Sequence, residues 1–131
     1  MLRTRIACDT YDTTYFDPAG MDDEVRTPLT DVPYLKLAAV TGDTGELTLF
    51  ALNRELTSEM RLEATARGFD GLVVTEATTL HDADLKAANT RDAQNRIKPA
   101  TLTGVSAKGG TIVASLPSAS WSVIRLAPGD A

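Results

Sequence analysis

The chain has 131 residues, of which 43% are hydrophobic and 24% are charged, a composition typical of a globular domain with a core of its own. Its net charge is −5 and its thirteen Lys and Arg residues are scattered singly, so the sequence favours neither nucleic acid nor an anionic membrane surface as partner. A single cysteine excludes an internal disulfide and favours the cytoplasm, and no apolar run has the length of a membrane span.

The amino-terminal third predicts one strand followed by one long loop. Residues 2–8 alternate imperfectly between apolar and polar side chains, which predicts a first strand with Cys8 packed on its apolar side. Residues 9–31 contain six Asp, one Glu, two Pro and one Gly, a composition typical of irregular structure. Loops of this length in a small domain usually bind or cover something, so this segment is a candidate functional region.

The clearest strand predictions lie at residues 46–54 and 58–66. The first segment carries apolar residues on both faces, which predicts a central strand with apolar groups on either side. The second alternates strictly between apolar and polar residues, which predicts a strand with one face in water. Because only a short polar loop at residues 53–57 separates them, we predict that they pair as antiparallel neighbours.

Further strands are predicted at residues 33–40, 72–80, 101–107, 111–116 and 121–126, with Gly-rich and Asp-rich turns between several of them. The Lys-Gly-Gly turn at residues 108–110 predicts a hairpin, since glycine tolerates a positive φ. Residues 81–99 are polar and predict a second loop. No segment sustains a 3.6-residue period, so seven or eight short strands predict one all-β domain, an antiparallel β-sandwich over residues 1–131. We expect its core to bury Trp121.

Only weak candidates for chemistry occur in this pattern. His81 with Asp82 and Asp84 could ligate a metal or supply a general base, but these residues lack the three or four converging ligands of a metal site and any nucleophile motif. The acidic residues of the first loop lack the spacing and the turn glycine of a calcium loop. The other carboxylates are explained by solvation. We therefore predict no catalytic residue, no cofactor and no metal site.

An alternative function rests on three aromatic residues of the first loop. Tyr11, Tyr15 and Phe16 could form a platform on which sugar rings stack, if their rings were exposed and coplanar. This alternative predicts a carbohydrate-binding module that contacts arabinose-containing polymers through these three residues. Aromatic residues total only 5% of the chain, so the core competes for the same side chains.

Five blocks of sequence follow one another in a specific order. They are VPYL at residues 32–35, LTLFALNR at 47–54, RGF at 67–69, DLKAANT at 84–90 and LPSASWSVIRL at 116–126. Together they resemble the carboxyl-terminal domain of α-L-arabinofuranosidases of glycoside hydrolase family 51. The resemblance covers residues 32–126. It departs from the family in a longer segment at 17–30 and in Ala88, where the family has threonine.

The resemblance implies a jelly-roll β-sandwich packed on the catalytic (β/α)₈ barrel of a longer bacterial, cytoplasmic polypeptide that forms a homo-oligomer. In that family the barrel carries the two glutamates of a retaining mechanism, and no position here matches their motifs. The chain alone is therefore expected to be inactive. The longer polypeptide would hydrolyse terminal non-reducing α-L-arabinofuranosyl residues of arabinan and arabinoxylan oligosaccharides. The resemblance also implies that a strand from the amino terminus of the full enzyme is missing, which predicts an open sheet edge.

Overall fold

The computed structural model describes residues 1–13 and 28–130, and the regular elements in these ranges are strands. The strands are β1 (Thr10–Tyr11), β2 (Val32–Pro33), β3 (Leu35–Thr41), β4 (Leu47–Asn53), β5 (Met60–Thr65), β6 (Leu72–Leu80), β7 (Ala100–Thr101), β8 (Ser106–Lys108), β9 (Thr111–Leu116) and β10 (Ser120–Pro128). Seven of them contain three or more residues. No helix occurs in the described ranges, so none there is long and apolar enough to cross a membrane.

Two sheets account for the longer strands, and all their pairings are antiparallel. The five-stranded sheet has the order β3-β4-β10-β6-β7, and the three-stranded sheet has the order β5-β9-β8. The short strands β1 and β2 form a separate ribbon. The predicted hairpins β3–β4 and β8–β9 are both present. In the second hairpin Gly109 and Gly110 have φ angles of 56° and 77°, which explains why glycine is needed there.

The inward faces of both sheets contribute to one hydrophobic cluster. In β4 every second residue is buried, as the period of two in an extended chain requires. The buried apolar residues of the cluster are Leu35, Ala39, Leu47, Leu49, Ala51, Leu62, Leu72, Leu102, Ile112, Ala114, Leu116, Ile124 and Leu126. The all-β, antiparallel prediction is confirmed.

The predicted pairing of the segments at 46–54 and 58–66 is wrong. Strand β4 lies between β3 and β10, as expected of a central strand, whereas β5 pairs with β9 in the other sheet. The connection between β4 and β5 therefore crosses from one sheet to the other. Both strands direct apolar side chains into the shared core, Leu49 from β4 and Leu62 from β5. A polar loop of this length can form either a hairpin within one sheet or a crossover between two sheets, so the sequence pattern could not distinguish these two connections.

The predicted first strand at residues 2–8 is also wrong. The segment makes one isolated bridge, in which the backbone N–H of Leu2 donates to the carbonyl oxygen of Ala39 at 2.8 Å. The hydroxyl of Thr4 donates to the carbonyl oxygen of Leu37 at 3.2 Å. These contacts hold the segment beside β3 without forming a ladder. Cys8 is partly buried against the core, in agreement with a packed thiol.

The prediction that Trp121 is buried is wrong as well. Trp121 is 45% exposed and lies on the outer face of β10. The inward positions on either side belong to two small residues, Ser120 and Ser122, which are at most 1% exposed. Their hydroxyls donate to the carbonyl oxygen of Pro117 and to the hydroxyl of Thr79. Hydrogen-bonded serines therefore fill this end of the core, and the alternation of the strand places the indole outside.

Candidate functional site

The structure describes one of the three aromatic residues predicted to contact sugar. Tyr11 is half-buried in β1, and its ring centroid lies 4.7 Å from that of Tyr34 with an interplanar angle of 37°. The ring of Tyr11 therefore already packs against an aromatic ring of the same chain. Tyr15 and Phe16 lie outside the described residues, so the three-residue platform stays a prediction.

Charged side chains of the loop at residues 81–99 form ion pairs with one another. Arg96 lies between two carboxylates, with Nε at 3.5 Å from Asp82 Oδ2 and Nη2 at 3.1 Å from Asp84 Oδ2. His81 Nδ1 lies 2.5 Å from the carbonyl oxygen of Ser118. A carbonyl can only accept, so Nδ1 carries the proton. In residues 1–13 and 28–130 no group of three or more His, Cys, Asp or Glu residues is arranged to hold a metal ion.

Acidification should loosen this loop. The backbone N–H of Asp84, with Arg96 beside it, holds the pKa of the Asp82 carboxyl below its ordinary value. Because the folded-state pKa lies below the unfolded one, the charged carboxylate stabilises the loop at neutral pH, and that contribution disappears as the pH falls through the folded-state pKa. We expect heteronuclear NOE values of the amides at 81–99 to fall in that acidic range. In Asp82→Asn their response to the pH change should be smaller than in the wild type; an identical response in the variant would contradict this assignment.

A second candidate site is the outer face of the five-stranded sheet. Trp121 of β10 lies directly between Leu52 of β4 and Leu80 of β6. In the next row Val123 lies opposite Phe50, whose ring centroid is 6.4 Å from that of Trp121 at an angle of 42°. We call this surface the Trp121 face, and it comprises Ala38, Phe50, Leu52, Leu80, Trp121 and Val123.

Charged residues border the Trp121 face on two sides. Lys36 lies opposite Leu52 on β3, and Arg125 lies opposite Glu76 with Nη1 at 3.6 Å from Oε2. An apolar centre with a charged rim is the usual anatomy of a protein interface. A sheet face in contact with water normally carries polar side chains, so this surface is suited to packing against another apolar surface.

The sequence contained one signal for this face. In strand β4, Phe50 and Leu52 alternate with the buried residues and so lie on the opposite face of the strand. This pattern predicted that both faces of β4 contact apolar groups. In the structure both residues are half-buried on the Trp121 face. Sequence reasoning missed the contribution of Trp121 because it assigned that residue to the core.

Comparison with known families gives a match over most of the chain. The sequence model described as the α-L-arabinofuranosidase C-terminal domain matches residues 1–120. An intracellular exo-α-(1→5)-L-arabinofuranosidase from Streptomyces lividans is 32% identical over 127 residues, which cover 97% of this chain and 17% of that protein. An exo-α-(1→6)-L-arabinofuranosidase from Bifidobacterium longum is 30% identical over 128 residues, 96% of this chain and 22% of that protein.

Solved structures agree in fold. A family 51 α-L-arabinofuranosidase from Bifidobacterium longum has a TM-score of 0.65 at 27% identity, covering 73% of this chain and 19% of its own. The family 51 enzyme from Thermotoga petrophila has a TM-score of 0.74 at 18% identity, and the match covers 94% of this chain and 24% of that enzyme. The chain thus spans about a fifth of the length of the curated relatives described above. In the relatives this domain is part of a larger polypeptide with a catalytic domain.

Proposed function

Because the chain belongs to the family of C-terminal domains of glycoside hydrolase family 51 α-L-arabinofuranosidases, we propose that it is an accessory domain that packs on a catalytic domain of the same polypeptide. Its role is to stabilise the catalytic (β/α)₈ barrel and the homo-oligomer that the polypeptide forms. We also propose that residues 1–131 form one such domain, in which the two sheets are connected as a jelly-roll sandwich.

The Trp121 face is the observation that supports this role. It is apolar at its centre and charged at its rim, and Trp121 and Leu80 are 45% and 37% exposed in the chain by itself. In the curated relatives about four-fifths of the polypeptide lies outside the matched region, so a large partner surface is available in the same molecule. Covering the face would remove these apolar side chains from water, which is the dominant favourable term in association.

The activity belongs to the longer polypeptide in this proposal. We propose that it hydrolyses terminal non-reducing α-L-arabinofuranosyl residues of arabinan or arabinoxylan oligosaccharides with retention, through two barrel carboxylates. The two curated relatives are named exo-acting arabinofuranosidases, and the one from Streptomyces lividans is named intracellular, which supports a cytoplasmic location. The chain spans only about a fifth of the length of these relatives, so we expect that the 131-residue chain alone does not hydrolyse an aryl α-L-arabinofuranoside.

Trp121→Arg in the full-length polypeptide tests the docking role. A central aromatic anchor of an interface is worth about 2 kcal/mol or more, so we expect the variant to unfold at a lower denaturant concentration than the wild type. The same substitution in the 131-residue chain should change the free energy of unfolding by less than about 1 kcal/mol, because the side chain is exposed there. Urea titrations of both proteins, monitored by circular dichroism, measure the difference.

Leu56→Arg is the matched control. Leu56 is 57% exposed in the connection between the sheets and lies outside the Trp121 face, so its replacement should have little effect in either protein. Equal stability of the full-length wild type and Trp121→Arg would overturn the docking role. Hydrolysis of the aryl arabinofuranoside by the 131-residue chain would overturn the assignment of activity to the longer polypeptide.

A further inference from the structure

The loop at residues 81–99 is exposed to water, yet its own polar contacts hold it in one conformation. Asp82, Ala87 and Ile97 are half-buried, and every other residue of the loop is exposed. The side chain of Asn89 makes two hydrogen bonds to the backbone of Ile97, at 2.8 and 2.7 Å, and closes the second half of the loop. Because no residue of the loop belongs to the buried core, packing on the core explains little of this order.

A tight turn in the first half of the loop presents a leucine to water. The backbone N–H of Ala87 donates to the carbonyl oxygen of Asp84 at 2.9 Å, and the backbone N–H of Lys86 donates to Asp84 Oδ1 at 2.9 Å. Leu85 and Lys86 are therefore the two central residues of the turn, and Leu85 is 57% exposed. Turns favour Gly, Pro, Asn, Asp and Ser for conformational reasons, so the turn itself does not explain a leucine at its tip.

Arg96 fixes the base of this turn. The carboxylate of Asp82 accepts the backbone N–H of Asp84 at 2.8 Å, and the guanidinium of Arg96 bridges the carboxylates of Asp82 and Asp84. The backbone on the amino-terminal side of Leu85 is thus held before any partner binds. A side chain presented by an ordered segment loses less conformational freedom on binding, so Leu85 is preorganised for contact with another surface.

The loop is continuous with the Trp121 face. Leu80 is the last residue of β6 and belongs to that face, and the loop begins at the next residue. His81 Nδ1 donates to the carbonyl oxygen of Ser118, which lies in the turn just before β10 and Trp121. In the curated relatives about four-fifths of the polypeptide lies outside the matched region. A catalytic domain that covers the Trp121 face is therefore the partner within reach of the loop.

We propose that Leu85 is a second docking anchor, which inserts into an apolar pocket on the catalytic domain of the same polypeptide. The inference rests on the proposed docking role of the Trp121 face and adds the loop at 81–99 to the docking surface. Lys86 lies beside Leu85 at the tip and forms no ion pair with any other described residue. Its charge fits acidic groups at the border of the pocket, since interfaces place complementary charges opposite each other.

Amide hydrogen exchange compares the loop in the full-length polypeptide and in the 131-residue chain. Docking covers the tip of the turn, so the amides at 84–88 should exchange about tenfold more slowly, or slower still, in the full-length polypeptide. In that polypeptide Leu85→Arg should remove this added protection, and Lys86→Glu should reduce it. Urea titration should show a lower midpoint for full-length Leu85→Arg and an unchanged midpoint for the same variant of the 131-residue chain, where the side chain is exposed.

Two further variants separate the anchor from its support. Leu56 has the same exposed fraction as Leu85, 57%, but lies in the connection between the sheets, so Leu56→Arg should leave the added protection at 84–88 unchanged. Arg96→Gln keeps Leu85 and removes the bridge below the turn. It should reduce the added protection in the full-length polypeptide and leave the urea midpoint of the 131-residue chain nearly unchanged, since exposed ion pairs contribute little to stability.

Three outcomes would overturn the inference. They are equal exchange at 84–88 in the two wild-type proteins, protection that survives Leu85→Arg, and protection that falls on dilution, which would assign the loop to a contact between polypeptides. A failure of the docking role is recognised separately. If Trp121→Arg destabilised the full-length polypeptide while exchange at 84–88 was equal in both proteins, the Trp121 face would keep its role and the role of Leu85 would be wrong.

Discussion

Replacing Asn53 by leucine should lower the free energy of unfolding by about 3 kcal/mol, because it leaves buried polar groups without partners. Asn53 is 0% exposed at the end of β4. Its Nδ2 lies 2.9 Å from the carbonyl oxygen of Pro117 and 3.3 Å from those of Ser58 and Leu116. Its Oδ1 accepts the backbone N–H of Glu55 at 2.9 Å. One side chain therefore joins the crossover after β4 to the turn before β10.

Asn89 provides a control of the same residue type. Its side chain makes two hydrogen bonds to the backbone of Ile97, at 2.8 and 2.7 Å, within the exposed loop at 81–99. Water can replace these bonds, so Asn89→Leu should cost less than about 1 kcal/mol. Urea denaturation of the two variants and the wild type, with the slope of each transition compared, measures both values. Equal losses for Asn53→Leu and Asn89→Leu would contradict the role of Asn53.

Leu116→Ala should cost about 3 kcal/mol, since truncation of a fully buried leucine removes apolar contacts and leaves a cavity. Leu116 is 0% exposed on the inner face of β9, opposite Met60 of β5, at the side of the core formed by the smaller sheet. The loss should appear in the equilibrium unfolding of the 131-residue chain.

Leu85→Ala is the corresponding exposed substitution. Leu85 is 57% exposed in the loop at 81–99, and its truncation should change the free energy of unfolding by less than about 0.5 kcal/mol. If both truncations had the same effect, the three-stranded sheet would not share the core described here. A large loss for Leu116→Ala alone would support the packing of both sheets around one cluster.

The positions of most strands were predictable from the sequence for a local reason. Side chains alternate between the two faces of an extended chain, so the pattern at 46–54 and at 58–66 marks strands before any partner is known. The turn at 108–110 was predictable because Gly109 and Gly110 adopt positive φ angles that other residues disfavour. Five ordered blocks of sequence carried the family resemblance, which the match over residues 1–120 confirms.

The candidate site was less predictable because it depends on relations between distant segments. The neighbours of Trp121 on the sheet are Leu52 and Leu80, which are about 70 and 40 residues away in the chain and meet it only through the pairing of β10 with β4 and β6. An aromatic residue in a strand is compatible with the core and with an apolar outer face. Trp121 faces outward because the residues before and after it in the strand, Ser120 and Ser122, point into the core. The hydroxyls of these serines form hydrogen bonds there with Pro117 and Thr79.

The sequence by itself determined that the chain is built from strands, where most of them lie and which family it belongs to, since alternation, turn glycines and ordered blocks are local properties. Only the tertiary structure decided which strands are neighbours. Backbone hydrogen bonds between strands are nearly independent of side-chain identity, so β5 could pair with β4 or with β9. The choice followed from burial of Leu49 and Leu62 in one core and from the hydrogen bonds of Asn53 that hold the crossover.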